Sequence, residues 1–290
     1  MHIIEFAEKG IRKYIPAEVL ECDTTQYIEM SSLIFQYQFE GLSYKDFRIT
    51  AFYRLLEMKA VNIGKYDLEK FSNINQYSQL IDTFFEEDTR TKEKKIKKHY
   101  IHNPKPKSRG SLRYYYGPAD EFNNVSFGEY FDALEAFNDF NDTGETDYLL
   151  RLLAILYRKR VLFKKDFDIR QDYDPKKVER RMRAIRFQDK GIIYGCYLWF
   201  ASFQKYLATA ILYIEGKEID LSVLFSNDGQ KQKESKLPGL GMRSVLFSMA
   251  ESGIFGNLEE TRKASMWDVL LRLYDIVKRN ADQKANENTK

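Results

Sequence analysis

A repeated pattern of tyrosine, proline and glycine constrains this chain more than any other feature of its sequence. Residues Tyr14–Glu18 read Tyr-Ile-Pro-Ala-Glu, and Tyr116–Asp120 read Tyr-Gly-Pro-Ala-Asp. The spacing that follows is also kept, because Tyr27–Gly41 and Tyr130–Gly144 have the same length. Self-similarity of this kind predicts two copies of one structural unit. It is more typical of scaffold or binding proteins than of enzymes.

Each copy also contains the signals that begin and end helices. Asp23–Gln26 and Ser126–Glu129 both have the spacing of an N-terminal capping box, and Gly41 and Gly144 follow at positions that suit a helix C-terminus. A second helix follows in each copy, and in the second copy it is predicted over 149–161. The fold class predicted is mainly α, a multi-helix bundle built on an internal repeat of helical hairpins. A basic loop or short hairpin is inserted between the copies.

Composition changes along the chain divide it into five segments. Pro104, Pro106 and Gly110 interrupt regular structure between the copies. The last dozen residues are polar and have little to bury, so they are expected to be disordered. The predicted bounds are 1–91 for the first helical repeat, 92–115 for the basic linker or loop, 116–190 for the second helical repeat, 191–278 for the C-terminal helical core and 279–290 for the disordered tail.

The composition favours a folded protein, and the cysteine content favours a reducing cytoplasm. The chain has 290 residues, of which 43% are hydrophobic and 15% aromatic, and this is too apolar for a largely disordered protein. Two cysteines, Cys22 and Cys196, are too few for a disulfide framework and are expected to be buried thiols in a reducing compartment. The N-terminus lacks a basic start followed by an apolar run, so no signal peptide is predicted.

One stretch, Ile192–Ile214, is apolar enough to be compared with a membrane span. Gln204 and Lys205 lie near its centre, where a charge is costly in lipid. The sequence therefore favours one or two buried helices, and no membrane partner is predicted. The closing segment, from Asn257 to Lys278, is predicted to be helical, with a cap inside it at Ser265.

Basic residues are concentrated in one segment of a chain whose total charge is nearly balanced. Residues 92–113 hold nine Lys or Arg and one Glu, whereas the whole chain has 46 Lys or Arg and 43 Asp or Glu. Positive side chains interleaved with tyrosines suit a nucleic-acid backbone or an acidic protein partner, and they equally suit a solvated linker. A second basic run lies at 176–186, where an exposed face with ion pairs is the simpler interpretation. The candidate partner-binding residues are Lys94, Lys95, Lys97, Lys98, Tyr100, Lys105, Lys107, Arg109, Arg113, Arg180 and Arg181.

Patterns that carry catalytic or cofactor chemistry are not found in the sequence. There is no glycine-rich phosphate loop, and Pro238–Met242 is best explained as a turn into a helix. His99 and His102 have the spacing of a metal pair, but five lysines surround them and disfavour a cation. The sequence predicts no catalytic residue, no cofactor, no metal site and no enzymatic activity.

Several motifs resemble a group of uncharacterised proteins encoded by phages and prophages of Bacteroidetes. They are Tyr116–Asp120 with Phe127–Tyr130, then Leu153–Arg158, Tyr173–Arg181 and Ser252–Gly256 followed by a helix at Trp267–Leu270. The similarity extends from Ile15 to about Lys278. Such proteins are encoded among tail-morphogenesis genes and look like tail-assembly chaperones.

The resemblance implies a physical rather than a chemical activity. A chaperone of this kind would cover apolar stripes of a helical tape-measure or tail protein until the tail polymerises. Two alternatives stay open. The chain would remain in the virion if it is a neck, connector or tail-completion component, and it would bind nucleic acid through 92–116 if it is an accessory protein. Self-association is a further expectation.

Overall fold

A computed structural model shows a mainly helical protein, as the sequence predicts. It divides into two compact units, each formed by two stretches of chain. The first unit comprises Met1–Tyr100 and Gln188–Ser202, and the second comprises Ile101–Phe187 and Phe203–Lys290. The structure describes residues 1–6, 10–58, 68–87, 94–110, 113–163, 167–214, 216–225 and 242–287.

The described elements are helices connected by short antiparallel strand pairs. The helices are α1 (Thr24–Phe39), α2 (Tyr44–Leu55), α3 (Leu68–Ser78), α4 (Phe127–Thr143), α5 (Thr146–Leu156), α6 (Val178–Ile185), α7 (Lys190–Leu207), α8 (Met242–Glu251), α9 (Leu258–Lys263) and α10 (Met266–Glu287). The strands pair as β1 (His2–Phe6) with β2 (Ile11–Ile15), β3 (Phe85–Glu87) with β4 (Lys94–Ile96), β5 (Lys107–Arg109) with β6 (Tyr114–Tyr116), and β7 (Ile211–Ile214) with β8 (Lys217–Asp220).

The two predicted helical hairpins are α1 with α2 and α4 with α5, and their caps explain their bounds. The Asp23 side chain accepts hydrogen bonds from two backbone N–H groups of the first turn of α1, and Gln26 completes the capping box. Ser126 caps α4 in the same way, by accepting the N–H of Glu129. Gly144 ends α4 with a φ of +72°, a conformation that favours glycine.

Helix α7 enters the first unit because two glycines allow a close approach to α1. A Cβ at Gly191 would lie 2.1 Å from the carbonyl oxygen of Ile28, and one at Gly195 would lie 2.8 Å from the ring of Tyr27. The hydroxyl of Tyr27 also donates to the carbonyl of Gly195 over 2.6 Å. This packing places 188–202 in the first unit, although the sequence assigned those residues to the second repeat and the C-terminal core.

Aromatic rings fill the centre of the second unit. Phe122 and Phe203 stack with centroids 4.3 Å apart, and Trp267 meets Phe203 edge-on at 6.0 Å. The indole N–H of Trp267 donates to the carbonyl of Glu121 over 3.1 Å. Tyr130 is fully buried in the same region. These contacts join the start of α4, the end of α7 and the start of α10.

Several sequence predictions of local structure are wrong. Residues 2–6 and 11–15 form the β1–β2 strand pair, which was not predicted from the sequence. Residues 211–214 form a strand rather than continuing a helix, because Ile-Leu-Tyr-Ile has high β propensity and a turn follows at Gly216, whose φ is +76°. Helix α5 ends at Leu156 rather than near Val161.

The C-terminal segment also differs from its prediction. Residues 257–278 are not one helix, because the chain leaves helical geometry between α9 and α10, where Ser265 bridges to Ser126. Helix α10 continues to Glu287 and so includes residues 279–287 of the tail that the sequence predicts to be disordered. Each residue added to an existing helix gains a hydrogen bond without a new nucleation cost, and this explains the extension. Residues 288–290 lie outside the described residues, as do Lys92 and most of Pro238–Met242.

The basic segment between the hairpins contains three short strands among turns and irregular structure in its described part. It includes β4, β5 and β6, so of the two predicted forms, loop or short hairpin, the described part contains the hairpin. None of the described helices combines the length and the apolar character needed to cross a bilayer.

Candidate partner-binding site

Residues 159–163 and 167–171, which follow α5 in the second unit, pair as the two sides of a short arm. Its sides pair through hydrogen bonds from the N–H of Val161 to the carbonyl of Ile169 (2.9 Å) and from the N–H of Gln171 to the carbonyl of Lys159 (2.8 Å). At its base, Arg158 exchanges two backbone hydrogen bonds with Tyr116 of β6, of 2.7 and 3.0 Å. The described part of the arm comprises 159–163 and 167–171.

The end of the arm exposes large apolar side chains. Leu162 is 72% exposed, Phe163 98% and Phe167 76%. Phe163 also has a φ of +62°, which is costly for a bulky residue with a Cβ. Exposed apolar side chains grouped at one place are typical of interaction sites. We call Leu162, Phe163 and Phe167 the arm tip.

A buried ionic cluster holds the base of the arm, and Glu129 of α4 is its centre. The Glu129 carboxylate is fully buried and accepts hydrogen bonds from Arg158 Nη2 (2.7 Å) and Arg170 Nη1 (3.0 Å). Arg158 and Arg170 lie on opposite sides of the arm. The Glu129 carboxylate of α4 therefore binds an arginine on each side of the arm.

Asp168 provides the second carboxylate of this cluster. It accepts hydrogen bonds from Arg170 Nε (2.8 Å) and from Arg158 Nη2 (3.1 Å). Arg170 is fully buried and also donates to the carbonyls of Leu156 (2.8 Å) and Asn124 (2.9 Å). The two buried arginines thus face two carboxylates, and this balance is the condition under which buried charges are tolerated.

A further arginine and a tyrosine extend the cluster beneath α6. Tyr173 donates a 2.5 Å hydrogen bond to Asp132, which also accepts from Arg262 over 2.6 Å. Burial raises the pKa of Tyr173, and the Asp132 charge raises it further, so the phenol stays protonated. The guanidinium of Arg181 lies 5.9 Å from the Tyr173 ring.

Arg181 is buried, which corrects its assignment as an exposed partner-binding residue. Its Nε donates to the carbonyl of Ala154 over 2.6 Å, and its Nη2 is buried without a hydrogen-bond partner in the described part of the chain. Burial lowers its pKa, and the neighbouring Arg158 lowers it further, although an arginine remains charged. Val178, Arg181 and Ile185 share the buried face of α6, and this i, i+3, i+7 spacing is a signal that the sequence analysis did not use.

The predicted partner-binding lysines of the first unit differ in exposure and in their contacts. Lys94 is paired with Asp82 at 3.3 Å, and its ammonium lies 4.3 Å from the centre of the Tyr44 ring. Lys95 lies opposite Glu86 in the β3–β4 pair, while Lys97 and Lys98 are half-buried.

Tyr100 is buried, which corrects the prediction that its ring is available to a partner. Its hydroxyl forms a 3.0 Å hydrogen bond with that of Tyr27, and its N–H donates to Ser202 over 2.9 Å. Both partners lie in the first unit. The ring therefore packs into the core instead of stacking on a base.

The predicted residues of the second unit are closer to a basic surface. Lys107, Arg109, Arg113 and Arg180 are exposed and Lys105 is half-buried. Burial lowers the pKa of Lys159 at the start of the arm, and the charges of Arg113 and Arg180 lower it further. Three segments of the second unit therefore place positive charge near the arm base. We call Arg113, Lys159 and Arg180 the basic patch.

Catalytic and metal-binding groups are not brought together in the described parts of either unit. No group of three or more His, Cys, Asp or Glu side chains there is arranged to hold a metal ion. His102 pairs with Asp120 at 3.0 Å, and His99 lies 3.6 Å from Glu86. Burial raises the pKa of Cys22 to about 12 and also raises that of Cys196, so both thiols are protonated and poorly nucleophilic at neutral pH.

The ionic cluster was not predicted from the sequence. Glu129 has the spacing of the reciprocal half of a capping box, yet its carboxylate binds two arginines that are distant in sequence. Arg158, Asp168 and Arg170 carried no motif. The one local signal is that Glu129 stands next to Tyr130 and Phe131 on an apolar helix.

Comparisons with known proteins do not assign the chain to a family. No protein-family model, no curated protein and no solved structure matches the chain.

Proposed function

We propose that the chain is a non-enzymatic tail-assembly chaperone of a phage or prophage, which binds helical segments of a tape-measure or tail protein. The resemblance of its sequence motifs supports the phage context. The observation that carries the binding role is an exposed apolar face on the β1–β2 hairpin of the first unit. We call this face, formed by Met1, Ile3, Tyr14 and Leu20, the hairpin face.

The hairpin face has the apolar chemistry to contact an amphipathic helix. Ile3 and Tyr14 are cross-strand partners, so their side chains project from the same side of the strand pair. The Met1 amino group is held 2.7 Å from Glu21, the neighbour of Leu20, so the exposed Met1 and Leu20 side chains lie at the same end. A partner helix with apolar residues at i, i+3 and i+4 could bury all four.

We also propose that the chain is an internal duplication. The order of elements supports this: a strand pair, a 3₁₀ helix and two α-helices occur as β1–β2, Val19–Glu21, α1 and α2, and again as β5–β6, Asp120–Phe122, α4 and α5. Each first helix has a buried tyrosine at its fourth position, Tyr27 or Tyr130. Two related modules would raise avidity for a partner that repeats its own apolar stripe.

Co-expression with the tape-measure protein of the same phage tests this function. We expect the pair to co-purify and the tape-measure protein to be more soluble than when it is produced alone. Ile3→Ser with Tyr14→Ser should weaken the interaction by roughly tenfold or more, as expected for central apolar contacts. Tyr213→Ser is the control, because Tyr213 is even more exposed than Ile3 and Tyr14 but lies on β7 of the second unit. Unchanged solubility and no co-purification would refute the proposal.

Proteomics of purified particles separates the chaperone from a structural virion component. A chaperone should be absent or strongly substoichiometric, whereas a neck, connector or tail-completion protein should be stoichiometric. The nucleic-acid alternative is supported by the exposed Lys107, Arg109 and Arg113. It predicts an affinity that falls steeply with salt and is lost when these three are neutralised.

A further inference from the structure

The β5–β6 strand pair of the second unit carries basic and aromatic side chains on one face. Its register places Lys107 opposite Tyr116 and Arg109 opposite Tyr114. Opposite residues of an antiparallel pair project from the same side, and so do residues two apart on one strand, so all four side chains share a face. The residues between them on each strand are buried, so the opposite face packs on the core. We call Lys107, Arg109, Tyr114 and Tyr116 the β5–β6 face.

A lysine and an exposed tyrosine lie side by side on this face. The Lys107 ammonium lies 3.9 Å from the centre of the Tyr114 ring and 5.7 Å from that of Tyr116. Tyr114 is 48% exposed. The sequence has no Asp or Glu from Lys94 to Ala119, so no carboxylate of this segment balances the charge. A cation beside an accessible aromatic ring suits a phosphate and the base attached to it.

Two further segments bring positive charge to the same place, around the buried ring of Tyr115. A Cβ at Gly110 would lie 2.6 Å from this ring and 3.3 Å from the carbonyl oxygen of Ala184, so the end of β5 contacts α6. Arg180 lies one helical turn before Ala184, on the same side of α6. The Lys159 ammonium lies 6.0 Å from the centre of the Tyr115 ring. Lys159 and Arg180 therefore lie beside the β5–β6 pair.

This grouping of like charges is unfavourable for folding alone. Burial lowers the pKa of Lys159, and the charges of Arg113 and Arg180 lower it further. Glu179, the acidic neighbour of Arg180 in sequence, pairs instead with Arg151 at 3.1 Å. Like charges that are held together raise the free energy of the folded state. A polyanion that contacts all of them would relieve this repulsion.

We propose that the β5–β6 face and the basic patch together bind single-stranded nucleic acid. Phosphates would contact Lys107 and the basic patch, and a base would stack on the exposed Tyr114 ring. A duplex fits less well, because its bases are already stacked on one another. Lys159 and Arg180 lie outside 92–116, so this surface is not the linear segment that the sequence suggests. The inference is independent of the proposed chaperone function, since the hairpin face belongs to the first unit.

Fluorescence anisotropy of the full chain with short labelled oligonucleotides tests this proposal. The probes are a single strand of DNA, the same sequence as RNA, and the DNA duplex. We expect both single strands to bind more tightly than the duplex, and the tighter of the two identifies the kind of nucleic acid. The logarithm of the association constant should fall linearly with that of the salt concentration. Four cations, Lys107 and the three of the basic patch, predict a slope of about −3.

Two variants separate the ionic contacts from stacking. Arg113→Gln with Arg180→Gln should weaken binding and make the salt dependence shallower by about 1.4, because two phosphate contacts are lost. Lys94→Gln with Lys95→Gln is the control, since it removes the same charge from two exposed lysines of the first unit. Tyr114→Thr should weaken binding roughly fivefold or more without changing the slope, because only stacking is lost.

Circular dichroism and thermal melting should show that all three variants fold like the wild type, because the altered side chains are exposed. No binding of either single strand at low salt, or an equal loss in the control variant, would overturn the proposal. Duplex binding as tight as that of a single strand, or unchanged affinity of Tyr114→Thr, would also overturn it, since the surface would then bind any polyanion. Capture of an acidic protein without oligonucleotide binding would do the same. None of these results bears on co-purification with the tape-measure protein, so the chaperone function is tested separately.

Discussion

Replacing Glu129 by glutamine should destabilise the second unit far more than any exposed substitution. The side chain keeps its size, but the inner cluster then holds one carboxylate, Asp168, against Arg158 and Arg170. One buried positive charge is left without compensation, and the new amide N–H₂ group faces donors instead of acceptors.

The expected loss in the free energy of unfolding follows from the burial of Glu129. Both oxygens of Glu129 accept hydrogen bonds from arginines whose side chains are at most 3% exposed. Breaking a buried ion pair on one side costs about 3–5 kcal/mol. At roughly 2–4 °C per kcal/mol for a unit of this size, the melting temperature should fall by about 10 °C.

Urea unfolding followed by circular dichroism measures the change in the free energy of unfolding. Glu135→Gln is the matched control on the same helix, because Glu135 pairs with Arg243 at 2.5 Å with both side chains about half exposed. An exposed pair is worth about 0–1 kcal/mol, so the control should be nearly neutral. If both variants lost the same stability, the burial of Glu129 between Arg158 and Arg170 would not be the source of the stabilisation.

Hydrogen exchange gives a second, local test of the same variant. Glu129→Gln should speed exchange at the amides of Val161 and Gln171, which pair the two sides of the arm. If these amides exchanged at the wild-type rate, Glu129 would not hold the arm.

Two other perturbations test the core. Gly191→Ala should cost about 1–3 kcal/mol in thermal or urea unfolding, because the new Cβ would lie 2.1 Å from the Ile28 carbonyl oxygen and α7 must shift; a neutral result would contradict the close packing of α7 on α1. Alkaline pH should unfold the protein, because burial raises the pKa of Tyr197 to about 12 and also raises those of Tyr100 and Tyr130. The folded state favours the neutral phenols. Their contribution to the free energy of unfolding is therefore complete below the pKa of about 10 in the unfolded chain, and it is lost as the pH rises through the pKa values of the folded state. Phenolate absorbance from these rings should therefore appear together with the loss of the circular dichroism signal, and full ionisation with an intact signal would contradict it.

Local signals in the sequence were sufficient for the helical hairpins. Asp23 and Ser126 each accept backbone N–H groups at the start of a helix, as predicted, because a cap depends only on residues two or three positions away. Gly144 ends α4 for an equally local reason. The mainly α class therefore followed from short-range hydrogen bonding and apolar spacing.

The short strands could not be predicted in the same way. A strand of three to five residues has little periodicity of its own, and its stability depends on a partner strand. The β1–β2 and β7–β8 hairpins carry apolar and β-branched residues that would also fit a helix. Only the pairing of Ile3 with Tyr14, or of Ile211 with Asp220, decides between the two structures.

One part of the candidate site could be predicted from the sequence, and the other part was decided only by the tertiary structure. The sequence determined by itself that Arg113 and Arg180 belong to basic runs and that both helical hairpins form. Only the tertiary structure decided that Tyr100 and Arg181 are buried and that Glu129 binds Arg158 and Arg170. The physical reason is distance along the chain, because a cap or a charge run is complete within a few residues, whereas the partners of a buried charge are chosen by packing between segments far apart in sequence.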